Sequence, residues 1–233
     1  MIKLNKIYCM DCLDGLKKID DKAIDLIVTD PPYFLPVNSY VGKRGEGYFR
    51  RTLADTSILK GYFERVFEEV SRVLKEDGTY YVFCDAQSYP IFYQALYPVC
   101  KHVRLLIWDK MISYNGYTWR HQHELIAWGE LNKTERIPTG NGDILRCRGV
   151  LQKDRNHPAE KPVELLEMLI KKHNSPAGKL ILDPYIGSGS VALACKNLDC
   201  NFIGFELNKN YIDIANKRLD AVYTKPSLKD YGL

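Results

Sequence analysis

The chain has 233 residues, 45% of them hydrophobic and 27% charged, which is enough apolar material to build a core without disulfide or metal staples. That balance excludes collagen-like, low-complexity and wholly disordered chains. Its 33 basic and 29 acidic residues leave a net charge of +4, too mild to identify a partner, so the placement of charge must do so.

The opening residues MIKLNKIYCMDCLDG carry Asn, Asp and Lys where a secretory signal would need an apolar stretch. No run is long enough to span a bilayer, so a cytoplasmic protein with no membrane contact is expected. Strands are predicted at 6–9, 25–29, 79–84, 103–108, 124–128, 179–182 and 201–205, where short β-rich runs alternate with amphipathic stretches. The longest helix is predicted over 56–75, with Tyr62, Phe63, Val66, Phe67, Val70, Val73 and Leu74 on one stripe and Gly78 just beyond. A second helix starts at Pro162, suited to a first helical position; others start near Gly189 and after Asn208, whose side chain suits an N-cap. Strands alternating with crossover helices predict an α/β fold with a doubly wound, mostly parallel, seven-stranded sheet. Stretches 34–55 and 132–155 fit no element, and loops of that length in a compact domain are functional or disordered.

Seven cysteines, an odd number without a secretory signal, read as free thiols. Cys9 and Cys12 form a C-x-x-C, but no second pair completes a zinc site, and both are expected to be buried beside a strand end.

Asp30-Pro31-Pro32-Tyr33 follows the strand DLIVT directly, at the edge of an open α/β sheet where ligands bind. Two prolines fix φ and remove two backbone donors, so the turn offers carbonyl acceptors and the Asp30 carboxylate at a rigid point. The complementary ligand is a planar exocyclic amine with two N–H groups, and Tyr33 supplies a face on which its ring can stack.

The run LILDPYIGSGSVALAC places an apolar strand before a glycine turn and a helix. Gly187, Gly189 and Ala192 match G-x-G-x-x-[GA], and Glu206 follows the next strand at the distance where a carboxylate reaches ribose hydroxyls. An adenosine-containing cofactor fits this pattern, NAD among them. Asp183, however, puts an acid where a pyrophosphate would sit, which suits a cofactor with a cationic ammonium.

In this order, the two constellations resemble those of the β-class DNA amino-methyltransferases. The segments IYCMDCLDGL, DLIVTDPPY, TYYVFC, HQHELIAWGE, RNHPAEKPVELLEMLI, ILDPYIGSGSVALAC and FIGFELN carry the resemblance over nearly the whole chain. It implies S-adenosylmethionine as cofactor, DNA as partner, and a Rossmann-like methyltransferase sheet, circularly permuted, in one domain over 1–233 with target-recognition loops at 34–55 and 132–155. Asp183, Gly187, Ser188 and Gly189 would hold the methionine end of the cofactor, Glu206 its ribose and Asp11 the adenine side. Lys161 matches the family's helix-start lysine near the cofactor carboxylate. Asp30, Pro31, Pro32 and Tyr33 would act on the target amine, a chemistry that needs no metal. Asp at the first motif position favours adenine N6 over cytosine N4; RNA or protein amide methylation and a non-catalytic DNA-binding subunit are the alternatives.

The segment before HPAEKP, about 25 residues, is shorter than many relatives' recognition insert, so a short site or a second subunit in a homodimer is expected to complete recognition. The stretch YVGKRGEGYFRR sets Lys43, Arg44, Arg50 and Arg51 against Glu46 just after Tyr33 and is the expected DNA clamp. Arg146, Arg148, Lys153 and Arg155 are second in line.

Overall fold

The seven predicted strands all form, as parts of one sheet. The computed structural model describes residues 2–32, 56–100, 102–112, 118–132, 140, 142–151, 153, 160–172 and 176–223. Its strands are β1 (Lys6–Cys9), β2 (Ile24–Thr29), β3 (Leu74–Cys84), β4 (His102–Asp109), β5 (His123–Glu130), β6 (Ile144–Arg146), β7 (Leu180–Asp183) and β8 (Asn201–Glu206). They lie in the order β1-β8-β7-β2-β3-β5-β4-β6, and β5 runs antiparallel to both its neighbours while every other pairing is parallel.

β6 is the strand beyond the expected seven. It lies inside the 132–155 stretch read as a loop, and three residues are too few to show an alternating pattern. It forms because Ile144, Leu145 and Arg146 pair with Ile107, Trp108 and Asp109, which buries Leu145 against the core. The 34–55 loop lies outside the described residues.

Neighbouring residues of a strand point to opposite faces, so apolar runs such as DLIVT feed two cores at once. Leu26, Val28, Tyr81, Phe83 and Ile181 pack with Leu165, Leu166 and Leu169 of α4 (Val163–Ile170), Val191 and Leu193 of α5 (Ser190–Asn197) and Leu219 of α6 (Lys209–Tyr223). On the other face Ile27, Tyr80, Val82 and Leu182 pack with Leu13 and Leu16 of α1 (Cys12–Leu16), with α2 (Thr56–Val73) and with Phe92 and Leu96 of α3 (Tyr89–Leu96). Leu59, Phe63, Val66, Phe67, Val70 and Val73 form the buried stripe of α2. Its helix ends at Val73 rather than 75, because Leu74 already pairs with Ile24 in the sheet. Pro162 is the N-cap of α4 rather than its first residue, and Asn208 caps α6 by accepting from Asn210 N at 2.9 Å.

The chain winds from β2 through α2 to β3 in one direction and from β7 through α5 to β8 in the other. The order therefore reverses between β2 and β7, and the crevice outside their carboxyl ends is where an open α/β sheet accepts a ligand. Among the described residues no helix is long and apolar enough to cross a membrane.

Candidate functional site

The motif that ends β2 and the one that ends β7 meet at this reversal. Leu26 and Ile27 pair with Ile181 and Leu182, which brings the next residues of both strands side by side at the edge. Thr29 then donates its hydroxyl to Asp183 Oδ1 at 2.7 Å, and Tyr185 N donates to the same oxygen at 3.0 Å. Asp183 is only 3% exposed. Burial pushes its carboxyl up to about 7, against the pull of those two donors.

Beyond Asp183 the chain turns through Gly187 and Gly189 at φ +51° and +83°, the left-handed region that glycine enters without strain. A Cβ on Gly189 would also stand 2.7 Å from Ala215 Cβ, so the turn lies tight on α6. Gly187 N donates to Glu206 Oε2 at 3.1 Å, and Asn208 N to Glu206 Oε1 at 2.7 Å. β1 lies beside β8 with Cys9 opposite Glu206, which seats Asp11 at the same edge as the N-cap of α1, accepting from Leu13 N at 2.9 Å. Asp183, Gly187, Gly189, Glu206 and Asp11 thus gather on three adjacent strand ends. This set of acceptors, carboxylates around a positive-φ turn, fits a ligand that donates from ribose hydroxyls and a cationic ammonium.

Ser188 is buried, and Arg218 of α6 donates to its carbonyl at 2.7 Å and to its Oγ at 3.1 Å. Arg218 also pairs with Glu160 at 2.6 Å, tying the glycine turn to the linker before α4. Tyr185 reaches inward instead. Its hydroxyl accepts from the Cys12 thiol at 3.1 Å and lies 2.8 Å from the Tyr62 hydroxyl, joining α1, α2 and the turn. Burial raises all three groups, so they stay protonated. Cys9, expected to be buried, is exposed; Cys12 is buried, and all seven cysteines are free thiols.

On the β2 side Asp30 leaves the sheet beside Pro31, which is buried, and Pro32. Lys161 Nζ lies 2.5 Å from Asp30 Oδ2 and 3.2 Å from Glu124 Oε2, with its side chain 6% exposed. The resemblance implies a place near the cofactor carboxylate for Lys161; the structure sets it between these two acids. Lys110 in turn holds Glu124 Oε1 at 2.6 Å. Burial alone would lower the Lys161 ammonium, but Asp30 and Glu124 more than offset it and hold it above the usual lysine range. Burial likewise pushes Glu124 up, and Lys161 and Lys110 bring it below the usual carboxylate range.

Tyr33, Lys43, Arg44, Arg50, Arg51 and Arg155 lie outside the described residues. Sequence reasoning missed Thr29, Lys110, Glu124, Glu160, Tyr185, Tyr62 and Arg218 as parts of this edge. Only Glu124 left a trace, as a charge opening the apolar run ELIAW.

The family model for DNA methylases of the N6/N4 type matches residues 24–217. The chain is 29% identical over 94% of its length to the type II methyltransferase M.HpaI of Haemophilus parainfluenzae, covering 75% of that protein. It is also 29% identical to the DNA adenine methyltransferase YhdJ of Escherichia coli strain K12, over 91% of this chain and 81% of that one. Among solved structures, the complex of M1.HpyAVI with SAM superposes with a TM-score of 0.70 at 24% identity, over 92% of this chain and 98% of the other.

Proposed function

The chain belongs to the N6/N4 DNA methylase family, and from that premise we propose that it transfers a methyl group from S-adenosylmethionine to the N6 amine of adenine in DNA. The observation that carries this reading is the meeting of the Asp30-Pro31-Pro32 turn with the glycine turn across the Thr29 to Asp183 bond. When bound, S-adenosylmethionine supplies an electrophilic methyl group on a sulfonium.

The N6 lone pair is delocalised into the adenine ring, so the protein must localise it and align it for attack. Asp30 accepts one N–H of the amine and the Pro31 carbonyl the other, which favours a pyramidal nitrogen and stabilises the positive charge that grows on it. The prolines leave the turn without N–H groups there to compete for those acceptors. Because a paired adenine is buried in the duplex, the base must swing out, and Tyr33 replaces part of its lost stacking. Glu206 takes the ribose hydroxyls, Asp11 the adenine side of the cofactor, and the turn from Asp183 through Gly187, Ser188 and Gly189 its methionine end. The YhdJ relative, named for adenine, supports adenine as target, as does Asp rather than Ser at position 30.

DNA lies along the same edge in this reading. β4 and β6 run parallel to β2, so their carboxyl ends and the start of β5 share it, and there Trp119 is 87% exposed and Arg146 75%. Arg120 and Arg148, both exposed, extend the basic surface. A second copy of the chain would complete recognition, and the setting is cytoplasmic.

The test is transfer of labelled methyl from S-adenosylmethionine to DNA grown in a methylation-free strain, followed by nucleoside analysis. Label in N6-methyladenine is expected. Label in N4-methylcytosine, or in RNA or protein with none in DNA, would overturn the reading.

A further inference from the structure

We propose that Glu124 is a positioning residue for Asp30, acting through Lys161. The inference rests on Asp30 being the acid that faces the target amine. Glu124 is the second residue of β5, opposite Trp108 of β4, and reaches the edge from the side of the sheet away from the glycine turn. Its two oxygens are divided between two lysines, Oε1 to Lys110 at 2.6 Å and Oε2 to Lys161 at 3.2 Å. Lys110 sits 5.2 Å from the centre of the Trp108 ring, and Lys161 5.0 Å from that of Phe83.

The arithmetic of charge gives Glu124 its role. A buried ammonium paired with Asp30 alone would cancel the negative field that the amine needs as it turns cationic. With Glu124 on its other side, Lys161 fixes the direction of the Asp30 carboxylate while its charge is shared between two acids rather than directed at Asp30 alone; Lys110 brings the four groups to neutrality, but from the other oxygen of Glu124 and not from Asp30. The lysine cannot easily swing away, because Pro162 stiffens its backbone and Arg218 pins the preceding Glu160. The groups facing Lys161 are Asp30 just after β2 and Glu124 of β5, which Lys110 holds from its other oxygen; the Cys84 thiol at the end of β3 feels Asp30 and Glu124, and Asp183 of β7 feels Asp30.

The experiment measures single-turnover methyl transfer, cofactor affinity by calorimetry and thermal melting for the parent, Asp30→Asn, Glu124→Gln and the pair Glu124→Gln/Lys161→Met. Groups aimed directly at developing charge are worth about 100-fold to 1000-fold, and Glu124, one step removed, should be worth about tenfold to 100-fold. Glu124→Gln is therefore expected to slow transfer by that factor, with cofactor affinity within a few-fold of the parent. Its rate should climb from neutral to alkaline pH as Lys161 discharges, where the parent is flat. Removing the lysine, left on Asp30 alone, in the double variant should recover part of the loss, which a residue that merely props the fold would not allow.

A parent rate in Glu124→Gln, or a double variant no faster than the single, overturns the proposal. If Asp30→Asn keeps the parent rate, the reading of Asp30 fails and the proposal with it; a dead Asp30→Asn beside an unchanged Glu124→Gln defeats the proposal alone. Should Glu124→Gln not fold, Glu124→Asp keeps the charge and shortens its reach, and a parent rate there overturns the proposal equally.

Discussion

The two halves of the carboxyl edge hold their acids by different means. On the side of β1, β7 and β8, carboxylates are capped by backbone N–H groups two residues further on: Asp11 by Leu13, Asp183 by Tyr185 and Glu206 by Asn208. On the side of β2, β3 and β5, the acids are held by ammonium groups from other elements. Lys161 reaches Asp30 across 131 residues and Lys110 reaches Glu124 from the neighbouring strand. Each acid of the first half takes one donor from its own turn, with Thr29 of β2 reaching Asp183 and Gly187, in the turn after β7, reaching Glu206; the second half depends on ion pairs between separate elements. The electrostatics diverge accordingly, since dipoles cannot keep buried Asp183 from rising to about 7, whereas two full charges depress Glu124.

The comparison breaks first at Asp30. Asp30→Asn should lower the single-turnover rate by about 100-fold to 1000-fold while cofactor affinity stays within a few-fold of the parent. Loss of cofactor binding on the same scale would show that the two halves are not separable. Across the β2–β7 boundary, Glu206→Ala should do the reverse and weaken cofactor binding by roughly tenfold to 100-fold, the worth of a hydrogen-bonded charged group. Isothermal calorimetry with unchanged affinity would remove Glu206 from the cofactor site.

A pH series on the cofactor-free protein sharpens the contrast. Asp183 holds its proton better folded than unfolded, so the parent loses stability as pH rises from about 4 to about 7, by no more than about 1.4 kcal/mol per unit. Asp183→Asn lacks that loss, and its melting temperature relative to the parent should rise over this window. Glu124 has the opposite sign, since its folded value is depressed: it stabilises above the ordinary glutamate range and stops doing so as pH falls through its folded value. The Glu124→Gln melting curve should therefore approach the parent's toward acid. Slopes of one sign in both variants would refute the assignment of dipoles to one half and charges to the other.

The smallest effect is expected on the DNA surface. Each phosphate contact adds about −0.9 to the slope of log affinity against log salt, so Arg44, Arg50 and Arg51 replaced together by Ala should flatten it by about one to three units. Arg146 and Arg148 replaced together should flatten it by about one to two. A parent slope in either set removes those residues from the DNA path.

The sequence by itself determined the class of fold, the seven main strands, the stripe on α2, the helix start near Gly189, the cap at Asn208, and the two motifs at the ends of β2 and β7. These are local patterns, in which periodicity, glycine, proline and capping residues act within a few positions of themselves. Only the tertiary structure decided that β6 extends the sheet inside a stretch read as a loop, because three residues pair there with β4 and bury Leu145 rather than by their own preference. It alone placed Lys161 between Asp30 and Glu124, Thr29 against Asp183, and Arg218 across the glycine turn. Those partners lie far apart in the chain, and a single charge or hydroxyl carries no sign of which distant group it will meet until strand order and register bring the two within bonding distance.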